Sequence, residues 1–549
     1  ADQVDIGSLD IKNIEVVKGA AASSLYGSRA QNGVVNITTK RGSETQLGAT
    51  RVTIRNEFGF QTLENTPVDN RSHSLLTNSE GQLINQNREP VNYGEGAAVD
   101  NSGPNGTSFR DNRFSELRTR EGSPYQLNDA FGQFFEPGNT YTNYVAISQN
   151  SESTNFRASF ENNVQGGVIQ GPVESGGYQR RGFRVNLDHR PADNVSFAAS
   201  AYYSQSQNDR LDAADFDPFF GLMFTSPLSN LLERDADGEL VIQPDPRSVE
   251  ENPLYIVENT DINHERSRFL GSIRGEYSPF EWATFSGNLS YDRSDRDLSE
   301  FYKKGFKTVE SDPKNTGETQ TDNITQGALN YDVTLSLNND FGDFTGRSQF
   351  KYQVERTELS SSFTQGNGLV AAGIPDFANV GDQQSIFINS NNELIKAEGF
   401  YATAEGDYLD RYILDFLVRR DGSSLFGAEE RWQTYFRAAG AWRVAQEPWW
   451  PLQDQVNAFK LRYSYGTAGA RPDFEAQYET FELDQGNLQK NTLGNAALKP
   501  ELQTEQEYGV ELGLFDRLYF NVTYADSRVE DQLLEIPLIG PLGFSNQWQ

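Results

Sequence analysis

Arg51-Val52-Thr53-Ile54-Arg55-Asn56-Glu57-Phe58-Gly59-Phe60 decides the fold, because its side chains sort by parity. Successive residues of an extended strand point to opposite faces. Val52, Ile54, Phe58 and Phe60 therefore share one face, and Arg51, Thr53, Arg55 and Glu57 share the other. One face suits hydrocarbon and the other suits water.

Outward from this stretch the same period of two recurs along most of the chain. Phe183, Val185 and Leu187 alternate with Arg184, Asn186 and Asp188, and Phe285, Leu289 and Tyr291 with Ser286, Asn288 and Asp292. Tyr412, Leu414, Phe416 and Val418 repeat it, as do Leu461, Tyr463 and Tyr465, then Tyr508, Val510, Leu512 and Leu514, then Leu518, Phe520, Val522 and Tyr524. The segments run about ten to fifteen residues, the length a tilted membrane strand needs. About fifteen strands are predicted.

The connections alternate between long and short. Long ones fall near Gln61 to Thr140, Gln165 to Gln179, Gln207 to Glu265, Asp295 to Ile324, Leu359 to Ile395, Asp421 to Arg431, and Ala468 to Thr504. Between them lie Asn150 to Ser153, Pro191 to Asp193, Pro279 to Glu281, Asp340 to Asp343, the single Asp410, Gln446 to Asn457, and Asp516 to Arg517. Antiparallel strands put odd and even connections at opposite ends, so one end of the sheet is plain and the other elaborate. That is the pattern of an outer-membrane barrel, with short periplasmic turns and long outer loops. A soluble sandwich or propeller also alternates, but its strands are shorter, about five to six residues. Nothing in such a fold makes loop length keep parity.

Composition agrees. No apolar run approaches the roughly 18 residues a spanning helix needs, whereas a barrel hides its apolar face in alternation. Aromatics reach 12% of the 549 residues, with Gly 48, which suits strands, turns and interfacial girdles. An all-β chain follows. There is no Cys, so no thiolate metal site or disulfide exists. His73, His189 and His264 show no ligand spacing, and no metal or other cofactor is expected. A formal charge of -31 repels phosphates and excludes nucleic acid as a partner.

The opening segment differs in kind. It reads Ile11-Lys12-Asn13-Ile14-Glu15-Val16-Val17-Lys18-Gly19, then Leu25-Tyr26-Gly27-Ser28-Arg29-Ala30, then Asn32-Gly33-Val34-Val35-Asn36-Ile37-Thr38-Thr39-Lys40. A short apolar strand ends at Gly19, and Gly27 and Gly33 permit tight turns before a second strand. Late in the chain stand Arg420-Asp421-Gly422-Ser423-Ser424 with Arg431-Trp432, Lys460-Leu461-Arg462-Tyr463-Ser464-Tyr465-Gly466, Leu498-Lys499-Pro500-Glu501, and Leu533-Leu534-Glu535-Ile536-Pro537. Together these resemble the SusC/RagA branch of TonB-dependent outer-membrane transporters, from the end of the plug domain to a late barrel loop. One departure is Tyr435-Phe436, in a stretch where that family carries Pro.

The resemblance implies a large antiparallel transmembrane β-barrel, here about 15 strands of roughly 22. Residues 1–45 would be the C-terminal part of the plug and 46–549 a barrel whose closing strands are missing. The chain opens on Ala1 rather than Met and stops in the loop-like Gly540 to Gln549, so a fragment or processed product is expected. The resemblance also implies import of bulky nutrients, oligosaccharides ahead of peptides, across the outer membrane of a Gram-negative type of cell. Its partners would be outer-membrane lipid, a SusD-like surface lipoprotein and, through a missing N-terminal segment, the TonB-ExbB-ExbD complex.

Within the plug signature, Glu15, Lys18, Gly19, Tyr26, Gly27, Arg29 and Gly33 are the structural and gating candidates, the charged ones as contacts to the barrel wall. Loop aromatics Phe131, Phe134, Phe135, Phe219 and Phe220 are candidate ligand contacts, since flat rings stack on sugars, though packing within a long loop competes. Trp449 and Trp450 belong to an interfacial belt. Asp209, Asp212, Asp215 and Asp217 lack the spacing of an ordered calcium loop. Carboxylate pairs abound, so none marks glycoside hydrolysis, and neither a Gly-x-Ser-x-Gly elbow nor a zinc-binding His pair is present. The chain reads as a non-enzyme. Rival functions are a siderophore or vitamin receptor without a lid, a passive porin, and a surface adhesin.

Overall fold

A computed structural model describes residues 11–17, 34–64, 74–75, 117–118, 128–171, 177–208, 218–225, 229–244, 250–308, 312–484 and 487–549. β1 (Ile11–Val17) and β2 (Val34–Thr39) pair antiparallel as a separate hairpin. Fifteen further strands form one antiparallel sheet in which each pairs with the wall strand before it and the one after it. They are β3 (Thr50–Gln61), β4 (Gly138–Asn150), β5 (Thr154–Gln165), β6 (Tyr178–Ala192), β7 (Val195–Asn208), β8 (Thr260–Phe280) and β9 (Ala283–Tyr302). β10 (Glu318–Asp340), β11 (Phe344–Asn367), β12 (Phe387–Tyr408), β13 (Tyr412–Ser423), β14 (Trp432–Arg443), β15 (Val456–Ala470), β16 (Glu501–Leu514) and β17 (Leu518–Glu530) complete it. β3 and β17 are its edges. The number of strands expected from alternation is the number found.

Register carries the alternation across the sheet. Tyr277, Phe285, Leu335, Phe350, Ala402, Val418 and Phe436 stand opposite one another in turn on β8 to β14. This row belongs to the exposed face, on which Phe285, Phe350 and Val418 are about half open. The other face is charged and half-buried, with cross-strand pairs Arg268 to Asp292 at 2.6 Å, Lys351 to Asp332 at 3.3 Å and Arg437 to Asp415 at 2.6 Å. Tyr435 is fully buried on that inner face while Phe436 is exposed on the outer one. The missing family Pro thus leaves β14 unbroken.

Strands β8 to β12 run 20 to 24 residues, well past the expected boundaries at Glu265, Asp295, Ile324, Leu359 and Ile395. The physical reason is visible in β11. Its outward residues are apolar or small from Phe344 to Val354, then become Arg356 and Glu358, which pair with each other. A ten-residue rise at about 3.3 Å, tilted by about 40°, gives about 25 Å of apolar height, the thickness of a barrel's lipid band. Beyond it both faces are wet, alternation of polarity ends, and ladder pairing continues regardless. Sequence periodicity reports the solvent, not the end of the strand.

The plain end carries tight links and aromatic rings. Leu409 and Asp410, and likewise Phe515 and Asp516, take positive φ in the three-residue links 409–411 and 515–517, the geometry that matches strand twist. Tyr408, Tyr412, Trp442, Trp449, Trp450 and Phe459 form a chain of rings with successive centroids 5.5 to 6.3 Å apart. Trp449 is 59% exposed, as a ring at a lipid headgroup boundary should be. Behind the rings Glu447 is buried, accepting from Trp442 Nε1 at 2.9 Å and Arg411 Nη1 at 2.8 Å. The Tyr412 hydroxyl, then the Trp442 indole and the Arg411 guanidinium, hold its carboxyl below the ordinary 4.5.

Two outcomes follow. Ile273 sits mid-band on the outward face of β8 at 59% exposure. Ile273→Arg in the full-length protein is expected to cost about 2–4 kcal/mol in a bilayer, read by urea unfolding from vesicles. Unchanged unfolding would place that face away from lipid. A carboxyl whose folded value is depressed stabilises fully above its unfolded value of 4.5 and loses that contribution as pH falls through the lower folded value. An acid-unfolding series should therefore show a loss below pH 4.5 that Glu447→Gln removes, and matching acid limbs in both proteins would contradict it.

Candidate functional site

Between hairpin and sheet the chain crosses the inner face of β4, β5 and β6, and residues 40–48 are bonded to it throughout. Arg41 Nε donates to Asp188 Oδ2 at 3.0 Å, with Arg41 Nη2 at 2.7 Å from Asp188 Oδ1. Arg41 Nη2 also reaches the Ala199 carbonyl at 3.4 Å. Asn186 Nδ2 donates to the Lys40 carbonyl at 2.8 Å and Asn150 Nδ2 to the Thr45 carbonyl at 2.7 Å. The Thr45 and Ser148 hydroxyls are buried and 2.7 Å apart, and the Gly48 N–H donates to the Asn150 carbonyl at 2.8 Å.

Gly42 opens a short 3-10 turn over Gly42–Glu44. A Cβ there would stand 2.5 Å from the Phe156 carbonyl oxygen and 2.8 Å from that of Gln149. Glycine is what lets this backbone lie against the wall. Hydrogen bonds to charged groups contribute about 1.5–3 kcal/mol each and neutral ones about 0.5–1.5, so this seam is firm. Among the described residues, the hairpin beyond it is not held in the same way: Ile14, Val16 and Val35 are about half exposed, and Lys12 pairs with Glu44 of the seam at 3.3 Å.

Beside the seam lies a cavity of about 310 Å³ on the inner face, lined by Ile11 and residues of the seam and by β3 to β7. Arg157 Nη2 donates to the Tyr144 hydroxyl at 2.7 Å. The Arg55 guanidinium lies over the Tyr144 ring, 5.1 Å from its centre, and that of Arg184 over Tyr202 at 4.5 Å. Glu161 is engaged by Arg180 and, at 3.7 Å, by Arg55.

Of the plug-signature candidates, Glu15 lies exposed on β1 opposite Asn36. Lys18, Gly19, Tyr26, Gly27, Arg29 and Gly33 lie outside the described residues, as do His73 and Asp209, Asp212, Asp215 and Asp217. His189 bonds through Nδ1 to the Thr154 hydroxyl at 2.9 Å. Of the wall contacts that do appear, Asn186 and Asp188 were read from sequence only as the polar face of a strand, and Arg41, Thr45 and Ser148 were not singled out. One signal was there: a cation and a glycine immediately before the first wall strand, at Arg41-Gly42.

The loop aromatics divide. α1 (Ala130–Phe134), α2 (Pro218–Phe224) and α3 (Pro253–Asn259) pack with Leu231, Ile242, Tyr302 and Phe306 into a dry core at the long-connection end. Phe131 and Phe134 are 8% and 0% exposed inside it, their ring faces occupied by packing. Phe135 stacks on Phe219 at 6.3 Å. Phe219 and Phe220 are 44% and 53% exposed on α2. Long connections read as loops from sequence are therefore folded in part. The Arg-Asp-Gly-Ser-Ser motif serves a similar end. Arg419 Nε bonds Asp421 Oδ1 at 2.6 Å, Gln477 Nε2 donates to the Ser424 carbonyl at 2.6 Å, and Gly427 faces the Ala496 carbonyl too closely for any Cβ. It seats the connection after β15.

Residues 224–549 match the family described as TonB dependent receptor-like, beta-barrel. TonB-dependent receptor P26 of Formosa agariphila is 25% identical over 566 aligned residues, covering 99% of this chain and 53% of that protein. TonB-dependent receptor SusC of Bacteroides thetaiotaomicron is 22% identical, covering 84% of this chain and 44% of that protein. The chain spans about half the length of the curated relatives it matches. Among solved structures, the RagAB peptide transporter superposes with a TM-score of 0.77 at 19% identity, covering 98% of this chain and 61% of that one. A ferric enterobactin receptor from Pseudomonas aeruginosa reaches 0.52 at 13% identity, covering 98% and 62%. These two are likenesses of fold.

Gly42→Ala in the full-length protein is expected to loosen the seam by about 1–3 kcal/mol, the cost of overpacking against fixed backbone. Hydrogen exchange should quicken at Thr45 and Gly48 while the ladder of β4 and β5 stays protected. Wild-type exchange rates in the variant would show that the close approach of Gly42 is not needed.

Proposed function

We propose, for a chain that belongs to the TonB-dependent receptor-like β-barrel family, that it forms the wall and inner seam of an energy-coupled outer-membrane importer of the SusC/RagA type. One observation carries this reading. The same chain holds a sheet apolar outside and charged inside, and an N-terminal segment bonded to the charged face through Arg41 to Asp188 and Thr45 to Ser148. A passive pore needs the sheet alone. A wall with a body fastened inside it must be opened, and opening takes work from outside the chain.

In this reading residues 1–45 are the end of the plug and 46–549 the wall. Work arrives from the TonB-ExbB-ExbD complex through a segment preceding this stretch. The folded long connections form the platform on which a SusD-like lipoprotein would close. Phe219 and Phe220, exposed on that platform, are the ligand contacts we favour, and their flat rings favour oligosaccharides, with peptides second. No side-chain set in this reading performs a bond-breaking step.

The test is uptake by a Gram-negative host carrying the full-length gene with its neighbouring lipoprotein gene. Labelled oligosaccharide and peptide pools are offered with and without TonB, and with a protonophore. Accumulation is expected to fall to background when either TonB or the proton gradient is removed. Undiminished uptake in both cases would replace this reading with a passive porin. Phe220→Ala should lower oligosaccharide uptake severalfold at limiting cargo, because stacking on a sugar ring is lost.

A further inference from the structure

The outward face differs from sector to sector where its apolar band ends toward the long connections. On β9 and β11 the cation that follows the last outward apolar side chain has a carboxylate beside it, Arg293 with Asp295 at 2.8 Å and Arg356 with Glu358. β6 and β7 are unlike these. Along β6 the outward side chains run Leu187, Val185 and Phe183, then Arg181 and Gln179, and along β7 they run Phe197, Ala199, Ala201 and Tyr203, then Gln205 and Gln207. Register sets Phe183 opposite Tyr203, and Arg181 between Gln205 of β7 and Asn162 of β5. Arg181 is exposed, and no carboxylate pairs with it among the described residues.

The charge around Arg181 is a second observation. Among the described residues of β3 to β7, no Asp or Glu faces outward, and Arg181 is the one Lys or Arg that does. Glu265 of β8 borders the sector opposite Gln207, where it accepts from Asn263 Nδ2 at 3.2 Å. In a chain of formal charge -31, this is a stretch of rim that does not repel an anion. Its other polar groups are the amides of Asn162, Gln179, Gln205 and Gln207. Each amide offers both donors and an acceptor, the set that sugar hydroxyls require. Next to Arg181 and Gln205 along the strands stand the rings of Phe183 and Tyr203, 51% and 48% exposed, as aromatic side chains at a headgroup boundary are.

We propose that the outward rim of β5 to β7 is a seat for the phosphate-bearing sugar headgroup of an outer-leaflet glycolipid. Arg181 holds the phosphate, the four amides meet the sugar hydroxyls, and Phe183 and Tyr203 lie against the first part of the acyl chains. The proposal rests on the outer-membrane reading of the wall. A guanidinium is shaped to take two phosphate oxygens at once, and no described side chain occupies it in this way. A free phosphate ion is the poorer occupant, because an ion pair exposed to water holds weakly. Acyl chains lying on the same apolar face keep a lipid phosphate at high local concentration.

The experiment titrates the full-length protein in detergent with a fluorescent diphosphorylated disaccharide lipid and with the same lipid stripped of its phosphates. Wild type is compared with Arg181→Gln, with Arg181→Lys, and with Arg356→Gln, which removes an outward cation of another sector. Wild type is expected to bind the phosphorylated lipid about tenfold more tightly than the stripped one, as one charge-assisted contact provides. Arg181→Gln should erase that preference, Arg181→Lys should keep part of it, and Arg356→Gln should leave it whole. Equal binding of the two lipids by wild type overturns the proposal, as does a preference that survives Arg181→Gln. Displacement of the lipid by sodium phosphate, beyond that by sodium chloride at matched ionic strength, would make the site one for a free anion and overturn it too. The two readings fail separately. If Ile273→Arg leaves unfolding from vesicles unchanged, the wall does not face lipid. If Ile273→Arg is costly while Arg181→Gln leaves the lipid preference intact, the seat alone is lost.

Discussion

Ladder hydrogen bonding between neighbouring strands is the constraint on which everything else rests. Hydrocarbon offers a backbone amide no partner, and each unsatisfied group there costs several kcal/mol. A strand inside the wall is relieved on both sides by its neighbours, so the sheet is continuous from β3 to β17 with no crossover. The edges show the cost left over. All thirteen residues of β17 are exposed, as are most of β3, and exposed edges are what further pairing removes. The tight positive-φ hairpins at the plain end follow from the same rule, because they return the chain without interrupting the ladder.

Once pairing is satisfied by backbone, side chains are free to answer to two solvents. The outward face is apolar over about 25 Å and polar above it, with Arg293 and Asp295, and Arg356 and Glu358, paired where the strands rise out of the band. The inward face carries ion pairs. These pairs are partly screened from water and add moderate stability. Their larger effect is to fix long side chains so that the inner surface keeps a definite pattern of charge. That pattern is what residues 40–48 engage.

Among the described residues, seam and hairpin are held differently. Arg41, Thr45 and the backbone at Gly42 hold to three successive strands, whereas β1 and β2 hold chiefly to each other. The folded connections at the far end complement this arrangement. Gln133 bridges to Asn230 at 3.0 Å and to the Leu231 N–H at 2.9 Å, and the Asn252 side chain caps α3 while donating to the Leu231 and Val241 carbonyls. Polar groups of these loops are thus tied down over a dry core, which makes the outer end a surface rather than a fringe.

Alternation by itself determined the all-β class, the faces of Val52, Phe285 and Val418, the count of strands and the two unlike ends, because a period of two is a local property that survives without knowledge of any partner. It did not determine where β8 to β12 stop, since pairing outlasts the change of solvent that periodicity reports. Nor did it mark Arg41, Thr45 or Ser148 as points of contact. Their meaning depends on contacts across more than a hundred positions of chain, such as the 147 between Arg41 and Asp188, and on the depth at which a hydroxyl or guanidinium is buried. Only the closing of distant strands side by side creates those distances, so only the tertiary structure could turn a parity pattern into a seam and a cavity.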